Sequence, residues 1–455
     1  MKLTQYLLLL AVGCIGLLSS SLTIANNADF NLKQQDELNT LIKFALNNDQ
    51  SRKKFFAQSK AMREIGIANS TLKDPKLKFG VGSLPVDSFA FDQASMTNVS
   101  IGIAQEFGRG STHSLQKKKL YQQADSTEFQ IKARELDVIN NMTKLWLELG
   151  YQQKTHQILV ENKKLMKEMA RYIKTDYSLG QSEAHDLLNA EIQIIKLDEK
   201  LQVNEQMQQR IFSQLSEWLG AKWLSQQTSL SAMPSLTWDK LDEYLSQVQG
   251  EEFYRLLMTH PMIEIAQSQI DTNRTQVSIA EEAYTPKFSV EMKYGFRQGN
   301  ENDGQSASDL VSAFLTMDLP LFTNKRQDKS YASAQYQVVE AKSNKAVILS
   351  QMNAQVNTLL VDRYNLEQRL KRYNNSLLPQ MKSKTKAVER GYQNNTTQFE
   401  EVINSLTDEL AIEIEKWRLV TDLNKTNSNL AYLLDGFEYS VSQPSINSPF
   451  HETHE

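Results

Sequence analysis

The property of this chain that most limits what it can fold into is that it repeats itself. Leu46-Asn47-Asn48-Asp49-Gln50 aligns with Leu257-Met258-Thr259-His260-Pro261, and Asp74-Pro75-Lys76-Leu77 with Thr285-Pro286-Lys287-Phe288, both at a shift of 211 positions. Further on the shift is 215, so that Phe107 meets Phe322, Tyr177 meets Tyr392, Asp186 meets Glu401 and Asn189 meets Asn404. The copies end alike, at Trp218-Leu219-Gly220 and Leu433-Leu434-Asp435-Gly436. A structural unit over 26–220 is therefore followed by a second over 251–436 with the same order of elements. A linker over 221–250 joins them, expected as a small belt outside the helices, and 437–455 is a polar tail.

The order within a unit follows from where the period of apolar residues changes. Only 17 Gly and 9 Pro punctuate 455 residues, well below the usual ~7 % and ~5 %, so the elements are long. Residues 33–73 and 251–285 read as helices, with Pro261 in an opening turn where its missing N–H is tolerated. Residues 112–176 and 326–391 read as much longer ones. Ile131, Val138, Met142, Leu145 and Leu149 step by sevens, fours and threes, and Leu366, Leu370, Tyr373 and Leu377 by fours and a three, the spacing of coiled-coil packing. A helix of that length is roughly 100 Å long, which predicts an extended bundle. Hairpin turns are expected at Tyr177-Ser178-Leu179-Gly180-Gln181-Ser182 and Tyr392-Gln393-Asn394-Asn395-Thr396-Thr397. Gly180 and Asn395 take the same repeat position and suit a left-handed helix end, and Ser182 and Thr397 are candidate caps for the returning helices.

Between the first two helices of each unit the period becomes two. Leu77, Phe79 and Val81, then Val99, Ile101 and Ile103, alternate with small or polar residues; Phe288, Val290, Met292, Tyr294 and Phe296, then Val311, Ala313, Leu315, Met317 and Leu319, do the same in the second unit. Strands are predicted over about 76–82, 96–104, 287–296 and 310–319. Their length suits a tilted membrane strand, and a soluble sheet with one face on a core fits any single pair equally. Four strands cannot close a barrel, which needs about eight, and an open sheet in lipid has unpaired edges. The chain must then associate; three copies would supply twelve strands, with a helical tube below. The fold class expected is mainly α with a membrane β-barrel contribution.

The first residues bear on compartment. Tyr6 to Leu18 is an apolar run after Lys2, followed by small polar residues to Ala25, the pattern of a secretory leader over 1–25. Ala11-Val12-Gly13-Cys14 also resembles a lipid-attachment box, so whether Cys14, the only cysteine, is lipidated or removed stays open. A net charge of −4 argues against nucleic acid. One cysteine excludes disulfide frameworks and Cys-based metal sites. His113, His156, His185, His260, His451 and His454 are scattered, and the 14 Met form no cluster, so neither a metal site nor a cofactor is expected. There is no G-x-S-x-G, phosphate-binding Gly loop or H-E-x-x-H, and no enzymatic activity is expected.

The duplicated helix, strand pair, long helix, Tyr-x-x-Gly turn and Leu-Gly ending resemble the TolC-type outer-membrane efflux proteins over nearly the whole chain. Asp74-Pro75-Lys76-Leu77-Lys78-Phe79-Gly80, Ser83-Leu84-Pro85-Val86-Asp87-Ser88 and Gln105-Glu106-Phe107 resemble the heavy-metal branch, the cobalt–zinc–cadmium and copper type. The resemblance implies a homotrimeric outer-membrane channel with its helical barrel in the periplasm. It implies as partners a periplasmic adaptor and an inner-membrane resistance-nodulation-division pump driven by protons. Drug efflux and polypeptide secretion use the same architecture, and a periplasmic coiled-coil scaffold is the remaining alternative. Carried over by position, Tyr177, Leu179, Gly180, Gln181, Ser182, Tyr392, Asn394, Asn395 and Thr396 are adaptor-docking tips. Asp186 and Glu401, nine positions after each turn Tyr, are pore-gate carboxylates, unless they are ordinary solvated helix charges.

Overall fold

The computed structural model describes residues 36–180, 183–226, 230–247, 252–301, 304–394, 396–437, 439 and 441–445. The leader with Cys14, the tip residues Gln181, Ser182 and Asn395, and the tail histidines His451 and His454 lie outside the described residues.

Helix α1 covers 36–48 and α2 Gln50–Ala68; β1 (Lys76–Gly82) and β2 (Asn98–Glu106) follow, then α3 (Thr112–Ser178) and α4 (Ala184–Leu219). Two short helices, α5 (Ala221–Gln226) and α6 (Asp239–Gln247), precede the second series: α7 (Glu252–Leu257), α8 (Pro261–Glu282), β3 (Lys287–Arg297), β4 (Leu310–Asp318), α9 (Gln327–Arg372), α10 (Leu378–Gln393) and α11 (Phe399–Leu433). The repeat shifts reappear in the element boundaries: Gln50 and Pro261, and Lys76 and Lys287, stand 211 apart, while Ala184 and Phe399 stand 215 apart. Both units close on a left-handed residue at equivalent positions, Gly220 at φ 86° and Asp435 at φ 55°.

Three expectations for the helices need correction. The first helix of each unit is not continuous. In the first, Asp49 breaks the chain and its Oδ1 accepts from the N–H of Arg52 at 2.7 Å, capping α2. In the second, the helix stops at Leu257 and restarts with Pro261 at its first position. The second long helix is also interrupted. A π-helical turn at Tyr373–Leu377 separates α9 from α10. Pro379 has no N–H for the carbonyl four residues back and its ring crowds that carbonyl; a widened turn absorbs both defects. Finally, Leu366, Leu370 and Tyr373 are only half-buried and Leu377 is exposed, unlike the first copy's stripe, where Val138, Met142 and Leu149 are fully buried.

The chain divides into two compact units that cut across the repeats: Met1–Arg52, Ala133–His260 and Ser350–Glu455 form one; Lys53–Lys132 and Pro261–Leu349 form the other. The first is helical and has two apolar cores. One gathers Leu38, Ile42, Leu46, Val138, Met142, Trp146, Leu149 and Leu215 with Leu230 and Ala232. The chain after α5 lies tightly against α3, since a Cβ on Gly150 would sit 2.1 Å from the Met233 carbonyl carbon. The other core joins the end of α3 and the start of α4 to α11 through Ile158, Ile173, Ala190, Leu197, Phe399, Val402 and Leu406.

The second unit holds the sheet. Its helices bury many small residues, Ala124, Thr127, Ala266, Thr272, Thr275, Ala334 and Ala341, beside Ile263 and Ile270. The four strands form one antiparallel sheet in the order β1-β2-β3-β4. Register gathers most of the large apolar strand residues on one face, with Leu77 opposite Ile103, Phe79 opposite Ile101, Ile101 opposite Tyr294, Ile103 opposite Met292, Val290 opposite Leu315 and Tyr294 opposite Val311; Leu310 and Phe314 of β4 fall on the other face. All of these are exposed, Phe79 by 75 % and Val311 by 71 %. The other face carries ions laid across the strands. Glu106 takes both Lys76, at 2.6 Å, and Lys287, at 3.1 Å, and Lys78 reaches Glu291.

Candidate functional site: the hairpin ends and their carboxylates

Both helical hairpin turns belong to the helical unit, on the four helices that share the second apolar core. In the first turn α3 ends with the N–H of Leu179 bonded to the carbonyl oxygens of Thr175 and Asp176, and Gly180 N–H to Tyr177 O at 3.0 Å. Gly180 then takes φ 72°, a value nearly free for Gly and costly for a residue with Cβ. A Cβ built there meets nothing within 4 Å, so the position is selected by backbone shape and not by crowding. Tyr177 and Leu179 are exposed, Leu179 by 66 %.

The second turn is built differently. Tyr392 is half-buried, its ring 5.7 Å from that of Phe399. The backbone N–H of Thr396 donates to Gly391 O at 2.8 Å and its hydroxyl donates to the same oxygen at 3.0 Å. A Cβ on Gly391 would fall 2.2 Å from the hydroxyl oxygen of Thr397, so the chain folds back tightly on α10. Asn394 and Thr396 are exposed. Thr397 does not cap α11. The N-cap is Gln398, as Glu183 is for α4, and neither makes a side-chain capping bond; the first turns instead use the N–H of Asp186 to Glu183 O and of Glu401 to Gln398 O, both at 3.2 Å.

Asp186 and Glu401 thus stand in the first turns of α4 and α11, where the positive end of the helix dipole favours a carboxylate. Asp186 keeps 19 % of its side chain exposed, and Glu401 is exposed. His185 bridges carboxylates, with Nδ1 3.0 Å from Glu183 Oε2 and Nε2 3.4 Å from Asp186 Oδ1. The three residues are near neighbours in sequence, and that proximity is the signal for the contact. Among the described residues no group of three or more His, Cys, Asp or Glu could hold a metal ion.

A second polar cluster escaped the sequence reading altogether. Glu148 of α3 accepts from both terminal nitrogens of Arg418, at 3.0 and 2.7 Å, and from Lys425. The Arg418 guanidinium lies 3.7 Å from the centre of the Tyr151 ring. Burial pushes the Glu148 carboxyl up, but these hydrogen bonds outweigh it and hold its pKa at about 2. They pin α3 to α11 above the hairpin ends.

No protein-family profile and no curated protein matches the chain. Solved structures do match it. The outer-membrane channel OprN superposes over 90 % of this chain and 92 % of its own, at a TM-score of 0.73 and 17 % identity. The outer membrane protein VceC of Vibrio cholerae covers 90 % of this chain and 98 % of its own, with TM-score 0.71 and 15 % identity. CusC, described as forming a transmembrane channel, covers 88 % and 92 % at TM-score 0.71 and 13 % identity. The likeness is one of fold: mainly helical, with a four-stranded antiparallel sheet.

Proposed function

We propose that this chain is the exit duct of a tripartite, proton-driven efflux system, placed in the outer membrane as a homotrimer. The apolar face of the sheet carries the reading. Fourteen large side chains on it are exposed: Leu77, Phe79, Val81, Val99, Ile101, Ile103, Phe288, Val290, Met292, Tyr294, Phe296, Val311, Leu315 and Met317. Fully burying such a side chain gains about 1.5–3 kcal/mol; at exposures of 39–75 % each gains roughly half of that, and the face as a whole favours lipid by on the order of 10–20 kcal/mol. In lipid the edge strands β1 and β4 need partners for their backbone groups, and a neighbouring copy supplies them. Three copies give a twelve-stranded barrel whose polar face lines water. Among the described residues no helix is long and apolar enough to cross a membrane. The fold shared with outer-membrane channels supports the same placement.

The helices then form a periplasmic tunnel. Its hairpin ends, with Tyr177, Leu179, Gly180, Gln181, Ser182, Tyr392, Asn394, Asn395 and Thr396, meet the helical hairpin of an adaptor that links the duct to an inner-membrane resistance-nodulation-division pump. Asp186 and Glu401 gather at the constriction, where a ring of carboxylates favours cations. The duct does no chemistry and needs no cofactor. Heavy-metal cations are the proposed cargo, on the strength of the motifs around Asp74, Ser83 and Gln105.

Fractionation tests the placement: the chain should leave outer membranes only with detergent and should then give stepwise conductance in planar bilayers. A soluble periplasmic protein without conductance would make it a scaffold instead. The cargo is tested by growth of a deletion strain on Zn, Cd, Co, Cu and Ag salts beside dyes and antibiotics. Sensitivity confined to one or two metals is expected; sensitivity confined to drugs would retain the duct and remove the metal assignment.

A further inference from the structure

Within the sheet-bearing unit, α3, α8 and α9 frame an open groove of about 710 Å³ whose lining carries four cations and no carboxylate. Lys119 comes from α3, Lys325 and Arg326 from the turn before α9, and Lys329 from its first turn; between them stand side-chain amides and hydroxyls. The walls are tied together by bonds that leave Lys325, Arg326 and Lys329 exposed. Lys119 Nζ donates to Gln276 Oε1 at 2.8 Å, and Asn273 Nδ2 donates to the Gln337 carbonyl at 2.9 Å. No ion pair to Lys325, Arg326 or Lys329 occurs among the described residues, although the chain as a whole is acidic. A concave, polar, uniformly positive surface with amide and hydroxyl donors is built to receive a phosphate group.

We infer that this groove binds the phosphate of an anionic phospholipid headgroup at the periplasmic leaflet of the outer membrane. The choice of lipid over a free ion rests on the duct reading and on depth. The ends of the strands next to the helices are at Lys76, Glu106, Lys287 and Asp318. Lys325 and Arg326 follow Asp318, the last residue of β4, by seven and eight positions, so the groove opens on the helical side of the strand ends, where the headgroup layer follows the hydrocarbon. Between β4 and the cations runs Leu319-Pro320-Leu321-Phe322, with Leu319, Leu321 and Phe322 exposed by 55, 73 and 88 %. Apolar and aromatic side chains followed directly by Lys and Arg are the order in which acyl chains give way to phosphates.

The test uses the full chain purified in detergent and nondenaturing mass spectrometry, with phosphatidylglycerol, phosphatidylcholine and inorganic phosphate as probes. Phosphatidylglycerol should be retained over phosphatidylcholine. The triple variant Lys325→Gln, Arg326→Gln, Lys329→Gln should bind it at least tenfold more weakly. The control Lys43→Gln, Lys54→Gln, Lys60→Gln, on exposed lysines of α1 and α2, should bind it as the parent does, and Lys325→Arg with Lys329→Arg should retain binding. If the triple variant does not fold, Lys329→Gln alone should weaken binding at least threefold. Millimolar phosphate should not displace the lipid; displacement by phosphate with no lipid retained would make the ligand a free ion and overturn the lipid assignment. Equal binding by parent and triple variant, or equal loss in the control, overturns the site. Conductance of the same preparations separates the two readings. A conducting channel that binds no phosphatidylglycerol loses this inference alone, and lipid binding without conductance removes the duct.

Discussion

At the scale of single residues, Glu148 is where ionisation and folding are most tightly linked. In an unfolded chain a glutamate titrates near 4.3; here Arg418 and Lys425, working against burial, bring it to about 2. A folded pKa below the unfolded one contributes stability above the unfolded value, lost as pH falls from about 4.3 through about 2. Glu148→Gln should therefore cost about 2–3 kcal/mol at pH 7, because it also leaves two cations unpaired, and its deficit should shrink between pH 5 and pH 2. Helix melting followed against pH in detergent checks this, and an equal deficit at pH 3 and pH 7 would show that the contribution is not ionic. None of it was legible beforehand: Glu148 and Arg418 are separated by 270 positions, and charges on a long helix read as solvated. His260 is a like case. It aligns with the helix-breaking Asp49, yet it is buried beside Tyr432, their rings 5.5 Å apart, and burial lowers its pKa.

At the scale of elements, most of the fold could be read because both periods are local. Side chains repeat every two residues on a pleat and every three to four on a helix, and apolar positions such as Phe79, Ile101 and Val138 record which is which. What could not be read depends on neighbours distant in sequence or on single backbone atoms. The π turn answers one missing N–H at Pro379, and the break at Asp49 depends on Arg134, whose side chain pairs with it at 2.9 Å. The loop after β1 exposes Val86, Phe89 and Phe91. The hairpin turn supports a prediction at this scale. Gly180 faces open space, so Gly180→Trp costs only the left-handed backbone penalty, about 1–2 kcal/mol, and the assembly should survive it. On the proposed docking role export should be lost, since a large ring would then stand in the proposed adaptor contact. A variant that assembles on native gels and still exports would remove the docking role from this turn.

At the scale of the whole assembly, the first-turn carboxylates have two candidate roles that predict different measurements. As partners of the helix dipole, Asp186 and Glu401 would each contribute about 0.3–1 kcal/mol to their own helix, and neutralising them would lower stability without touching conduction. As a gate, three copies of each would crowd one constriction, and mutual repulsion together with bound divalent cations would govern the current. The double variant Asp186→Asn, Glu401→Gln should then raise single-channel conductance in a planar bilayer and weaken block by divalent cations several-fold. The difference should also narrow as salt rises, since the Debye length falls from about 10 Å at 0.1 M to about 3 Å at 1 M. A slightly less stable trimer with unchanged conductance and unchanged block would assign both residues to the helix dipole. The same experiment bears on cargo: a carboxylate ring that concentrates divalent cations is useful to a metal exporter and indifferent to a carrier of neutral drugs. Loss of block in the variant, paired with metal sensitivity of a strain carrying it, would tie the gate to the transported ion rather than to the fold.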